Sequence, residues 1–192
     1  MAKVKPVIVL ALIAALISGL VIVVYNFTYV DTSNIVTDKQ AKAVIDIYGG
    51  AAGDYEVVPA EKWQTMFSEG NLSKIVKVIR NKNDGSLAFE TVVKGYKNGY
   101  DIMVGVKDGK VAGVSVVSVG EETPGLGTNT NKPEFLGLFK GKTGPVTIVK
   151  NKSNPGENEV NAVTSATFSS KGVASAVNIA LDAYKKCGGE FK

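Results

Sequence analysis

Residues 6–30 carry no charged side chain, and 7–24 are aliphatic apart from Ser18 and Gly19. Crossing the hydrocarbon core of a bilayer takes about 20 such residues in one helix. Lys3 and Lys5 precede the run, Asp31 follows it, and Tyr25, Phe27 and Tyr29 form an aromatic exit. This asymmetry predicts one pass through the cell (inner) membrane, with the N-terminus cytoplasmic and everything after Asp31 outside. A cleaved signal peptide fits less well, because its apolar core is only about 7–15 residues long and ends at a small-residue site. No such site follows here, and no cysteine directly follows to take a lipid. The segment reads as a retained anchor.

What stands behind an anchor must fold by itself. The chain has 192 residues, enough for one ordinary domain after the anchor. Its net charge of +4 comes from lysines spread along the chain, so nothing in it suggests a nucleic-acid partner. There is no histidine, which rules out Ser-His-Asp and Cys-His nucleophilic systems and histidine-ligated metals. The single cysteine, Cys187, can form neither an internal disulfide nor a thiolate cluster. No carboxylate-rich metal loop is evident, so no metal site is expected. Any demanding chemistry would have to come from an organic cofactor.

Thr37-Asp38-Lys39-Gln40 has capping-box spacing, and Ala41, Val44, Ile45 and Tyr48 then repeat at helical intervals up to Gly49-Gly50. A second short helix is expected over 59–67, opening on proline. From residue 74 the period changes. The stretches 74–80, 87–93, 100–106 and 111–119 are rich in β-branched residues, with Asn83-Asp84-Gly85 and Asp108-Gly109 as hairpin turns. Two more strands are expected at 146–150 and 159–163, and a closing helix at 170–184 with Val173, Val177, Ala180, Leu181 and Tyr184 on one stripe. The expected fold class is α+β: a single transmembrane helix, then one antiparallel-sheet domain covered by helices. The expected division is an N-terminus and anchor at 1–30, a membrane-proximal helical segment at 31–73, and a domain at 74–192. Trp63 is expected in core or membrane-proximal packing.

Two stretches carry chemistry. Thr164, Ser165, Thr167, Ser169 and Ser170 surround the small Ala166 just before the last helical pattern. Hydroxyls there can cap the helix, or lie beside a phosphate held by the unpaired N–H groups and dipole of the helix start. Gly120-Glu121-Glu122-Thr123-Pro124-Gly125-Leu126-Gly127 follows the strand at 111–119. It can be a plain turn, or a loop whose glycines let a flat ligand approach while Glu122 and Thr123 orient it. The stretch from Gly137 to Thr143 is one residue too short for a phosphate loop and reads as a turn.

Taken together and in this order, Glu122-Thr123-Pro124-Gly125-Leu126-Gly127 and Thr164-Ser165-Ala166-Thr167-x-Ser169-Ser170 resemble the FMN-binding domain family. That family includes the G subunit of Rnf-type ferredoxin:NAD oxidoreductase complexes and the C subunit of the sodium-pumping NADH:quinone reductase, and the chain's length is closer to the Rnf subunit. The anchor, Gly95-Tyr96 and the Asp108-Gly109 turn fit the same layout. The resemblance implies FMN esterified through its phosphate to Thr167 by a separate flavin transferase. It implies that Thr164, Ser165, Ala166, Ser169, Ser170 and Lys171 bind the cofactor, where Ser169 and Ser170 could bond the phosphate oxygens and Lys171 add a positive charge, and that Glu122, Thr123, Leu126 and Gly127 lie against the flavin, Glu122 bonding backbone or ribityl groups. It also implies an electron-relay subunit working beside other membrane subunits of an ion-translocating complex, inactive in turnover alone. The family's usual Asp and Gly are Asn161 and Ser165 here, and its frequent His is Gly120. Two other classes stay open: a stand-alone anchored flavoprotein reducing an extracellular acceptor, and a non-redox binding module whose hydroxyls only cap a helix.

Overall fold

A computed structural model describes residues 4–29, 34–189 and 191. Lys3 and Asp31, two of the charges that flank the apolar run, lie outside the described residues. The chain divides into two compact units, 1–32 and 33–192.

The first unit is helix α1, Val4–Thr28. Within its span Pro6–Thr28, an 18-residue window reaches a mean hydropathy of 3.2, with none of that window buried in the protein. A helix this uniformly apolar presents no polar face to water and suits hydrocarbon. At its end the Tyr25 and Tyr29 rings lie 5.4 Å apart, and the Thr28 hydroxyl donates to the Val24 carbonyl at 2.7 Å.

The second unit is built on a five-stranded antiparallel meander in the order β1-β2-β3-β4-β5. Its strands are β1 Tyr55–Val57, β2 Ile75–Asn81, β3 Leu87–Val93, β4 Tyr100–Lys107 and β5 Lys110–Ser118. Both expected turns are present: Gly85 has φ 74°, and Asp108 and Gly109 have φ 51° and 72°, the consecutive positive values of a two-residue type I′ turn. Helices cover both faces, which is why β3 and β4 are buried almost throughout. The face carrying Leu87, Phe89, Val93, Tyr100, Ile102 and Val104 packs on α4, Thr167–Lys186. On the opposite face Ile79, Ala88 and Met103 meet Ala43 and Val44 of α2, Asp38–Tyr48. Close approach of α2 requires Gly105, where a Cβ would lie 2.5 Å from the Ile47 side chain. The capping box of α2 is present, with Thr37 and Gln40 in their expected roles.

Several elements differ from expectation. Residues 59–67 form a 3₁₀ turn, Ala60–Lys62, and then irregular turns. Trp63 leaves helical geometry to insert into the core, its indole N–H donating to the Val58 carbonyl at 3.1 Å. Strand β1 has no period of its own and exists through pairing with β2. Strands β6, Thr147–Val149, and β7, Glu159–Asn161, pair in parallel as a separate sheet and are shorter than expected. The short helix α3, Pro133–Leu136, follows a 3₁₀ turn and adds Phe135 to the core.

Candidate functional site

Helix α4 begins three residues before the expected position, at Thr167, and its N-cap is Ala166, with no side-chain cap. None of the clustered hydroxyls therefore caps the helix, which leaves the first-turn N–H groups available to an anion. The hydroxyls have other uses. Ser170 is buried; its hydroxyl donates to the Ala166 carbonyl at 2.9 Å and accepts from the Val163 N–H at 3.0 Å. Ser169 is buried and donates to Glu122 Oε2 at 2.5 Å. Thr164 and Ser165 are exposed, and Thr167 is half-buried. Ser165 has φ 61°, a left-handed conformation that favours glycine, the residue the family pattern carries there.

Thr167 faces two clefts. One, of about 410 Å³, is lined by Tyr96, Thr123, Leu126, Gly127 and the run from Ser165 to Ser169. The other, of about 310 Å³, is lined by Lys150, Asn151, Thr164, Ser165 and Thr167 among others. The larger has an aromatic mouth: Tyr96 and Phe168 are 58% and 64% exposed, with ring centroids 6.4 Å apart. Leu126 adds an exposed apolar side chain, and Lys97 lies over the Tyr96 ring at 5.9 Å.

The loop after β5 is held rigidly. Thr130 donates to the Gly127 carbonyl at 2.7 Å and meets the Tyr100 hydroxyl at 2.6 Å. Burial pushes the Tyr100 hydroxyl up to about 12, offset in part by the Thr130 bond and reinforced by the Glu122 charge. Glu122 itself is 4% exposed and is not among the residues lining the cleft. Its Oε1 accepts from the Lys97 N–H at 3.0 Å and its Oε2 from Ser169. Gly127 is small for the same reason, since a Cβ there would lie 2.0 Å from Oε2. The glycine thus admits a carboxylate from behind as well as giving the cleft a flat wall.

The structure brings Thr123, Leu126, Gly127, Ser165, Ala166, Thr167 and Ser169 to one cleft and turns Ser170 into the fold. Lys171 lines a neighbouring cleft with Asn71, Ser175 and Asp182, whereas Lys150 lines the one beside Thr167. Sequence reasoning does not single out Lys150, Tyr96 or Phe168 as ligand-binding residues. Phe168 carries a readable signal, a large apolar residue off the buried stripe of its helix. Lys150 carries none, because only the β6–β7 pairing brings it near. Asn161 has a structural role, for its side chain donates to the Lys152 carbonyl at 2.8 Å and accepts from the Lys152 N–H at 2.9 Å. An aspartate could only accept.

An aromatic-mouthed cleft beside an uncapped helix start, on an α+β domain, makes a site suited to a flat, phosphate-bearing ligand, and the apolar helix earlier in the chain has the length of a single membrane pass. The cleft size, apolar walls and anion-ready helix start fit FMN. Residues 95–182 match the family model described as FMN-binding domain. The chain is 31% identical over 145 residues to the G subunit of the Na(+)-translocating ferredoxin:NAD(+) oxidoreductase complex of Acetobacterium woodii, covering 70% of this chain and 69% of that one. It is 44% identical over 91 residues to the G subunit of the proton-translocating ferredoxin:NAD(+) oxidoreductase complex of Clostridium ljungdahlii, covering 46% of this chain and 48% of that one. Among solved structures, the C subunit of the Na(+)-translocating NADH-quinone reductase of Parabacteroides distasonis aligns with a TM-score of 0.45 and 27% identity, over 57% of this chain and 60% of that one. The chain belongs to the FMN-binding domain family, in the group of these G subunits.

Proposed function

We propose that this chain is the membrane-anchored flavoprotein subunit of an ion-translocating ferredoxin:NAD-type oxidoreductase, relaying electrons through FMN esterified to Thr167. The observation that carries this reading is the place of Thr167: first residue of α4, half-buried, and bordering the cleft between Tyr96, Leu126 and Phe168. FMN supplies the electron carrying when bound. The chain supplies retention, orientation and a controlled environment. An ester at Thr167 Oγ1 leaves one negative charge at the start of α4, where the dipole and uncapped N–H groups favour it. Lys150 supplies a cation from the adjoining cleft. Thr123, Leu126 and Gly127 form the wall opposite, and the exposed aromatic pair gives the ring system an apolar seat.

The anchor α1 holds this domain at the membrane, with the N-terminus cytoplasmic and residues after Asp31 outside, as the charge flanks favour. Its partners are the lipid around α1, the other membrane subunits of the complex, and a flavin transferase for maturation. An ester bond keeps the cofactor where free FMN would diffuse away.

The test is denaturing electrophoresis with in-gel flavin fluorescence after co-expression with a transferase. Wild type is expected to fluoresce, Thr167→Ala to be dark, and the peptide containing Thr167 to carry the mass of FMN less water. Equal fluorescence in both proteins overturns the assignment of the attachment residue.

A further inference from the structure

Glu122 is a buried carboxyl group, 4% exposed. Its two oxygens accept hydrogen bonds from the Lys97 N–H and the Ser169 hydroxyl, both neutral donors. None of the four ion pairs among the described residues involves it. Two glycines are placed to admit it: a Cβ at Gly95 would lie 2.3 Å from Oε1 and one at Gly127 2.0 Å from Oε2. A third, Gly172, lets α4 close on the same turn, since a Cβ there would lie 3.0 Å from Gly95 Cα. The carboxylate thus stands one layer behind Gly127 and Ser169, which both line the cleft, and it ties together the 94–97 turn, the loop after β5 and the first turn of α4. A surface carboxylate would be screened by water and salt within about 10 Å at 0.1 M ionic strength, whereas a buried one is screened far less.

Resting on the reading above, in which the cleft holds FMN, we propose that Glu122 is a positioning residue and a fixed negative charge that lowers the reduction potential of the flavin bound in front of it. Reduction adds negative charge to the ring system, so an unscreened anion behind the cleft wall disfavours the reduced form. The neighbouring Glu121 provides a built-in comparison, because it carries the same charge in the same loop but is exposed. Only the buried one stands directly behind the cleft wall, shielded from water and salt.

The experiment is a spectroelectrochemical titration of the loaded full-length protein in detergent, with Glu122→Gln, Glu122→Asp, Glu121→Gln and Ser169→Ala beside wild type. Gel fluorescence first establishes loading; a dark wild type counts against the proposed function and not against the role of Glu122. Glu122→Gln is expected to shift the ratio of reduced to oxidised flavin at fixed poise by at least tenfold towards reduced, about 30 mV for a two-electron couple, and the shift should persist at high salt. Glu121→Gln should stay at the wild-type potential, and Glu122→Asp should restore a potential close to it. Ser169→Ala, which strips a donor from the carboxylate and leaves its charge, should shift the potential the opposite way from Glu122→Gln. If Glu122→Gln does not fold or load, Ser169→Ala decides alone. An unchanged potential in Glu122→Gln, an equal rise in Glu121→Gln, or an unmoved Ser169→Ala in that last case overturns the proposal.

Discussion

Glu90 is the residue whose surroundings most clearly set a pH dependence for the domain. It is 3% exposed, on the sheet face beneath α2, and accepts from Gln40 Nε2 at 2.7 Å. Burial pushes its carboxyl up to about 7, with the Asp101 charge adding to the rise and the Gln40 bond and Lys77 opposing it. Asp101 is raised by burial too, and its Oδ1 is buried without a hydrogen-bond partner. A carboxyl whose pKa is higher folded than unfolded binds more protons in the native state, so its stabilising effect is complete below the ordinary value and is lost as pH rises through about 7. Wild type should therefore lose about 1–3 kcal/mol of stability between mildly acid and mildly alkaline pH, read by urea unfolding. Glu90→Gln should flatten that slope, and an equal slope in both proteins would remove Glu90 as its source. Ser165 makes a second prediction. Its left-handed backbone costs a non-glycine residue about 1–2 kcal/mol, offset by the entropy that glycine loses on folding. Ser165→Gly should thus be neutral or stabilising by up to about 1 kcal/mol; a clear loss of stability would show that the serine side chain holds the turn.

At the scale of elements, α4 does two jobs, closing the core with one face and presenting Thr167 with its first turn. Its fit against the 94–95 turn depends on Gly172, where a Cβ would also approach the Lys94 carbonyl at 3.1 Å. Gly172→Ala gains about 1 kcal/mol of helix propensity but presses a methyl group against the backbone of the 94–95 turn, an overpacking cost of about 1–3 kcal/mol. The expected result is no net gain in melting temperature and a lower flavin loading, because the shift moves Thr167 relative to Leu126. A stabilised, fully loaded variant would show the contact to be slack. The same contrast explains which elements can be read from the sequence. The meander is readable because Asp84-Gly85 and Asp108-Gly109 punctuate strands of strong β character, and α2 because its box and stripe agree. Strand β1 is not, since Tyr55-Glu56-Val57 owes its form to Ile79, Arg80 and Asn81 across the ladder. The start of α4 lies earlier than the sequence suggests because hydroxyls imply a cap, whereas Ser169 and Ser170 bond Glu122 and Ala166 from inside the helix. Cleft residues sharing a short motif are foreseeable; the inward turn of Glu122 and the arrival of Lys150 are not, because the first depends on partners 25 and 47 residues away and the second on the pairing of β6 with β7.

For the whole molecule, the two units differ in character: α1 is uniformly apolar and long enough to span a bilayer, whereas 33–192 carries its own buried core. Among the described residues, the two buried apolar clusters are built from Ala43 onward. A chain begun at Asn34 should accordingly stay soluble without detergent and unfold in a single cooperative transition, whereas the full chain should partition with membranes through α1. This separation allows the orientation to be tested without disturbing the site. In a Cys187→Ser background, a membrane-impermeant maleimide should label exposed Asn98→Cys on intact cells, and label Ala2→Cys only after permeabilisation. The reverse pattern would put Thr167 on the cytoplasmic side, where free FMN is abundant and an ester bond would no longer be needed to retain the cofactor. In the proposed function, orientation and covalent attachment thus stand or fall together. A chain that kept its flavin by ester while facing the cytoplasm would leave the anchor's charge asymmetry and the chemistry at Thr167 without a common reason.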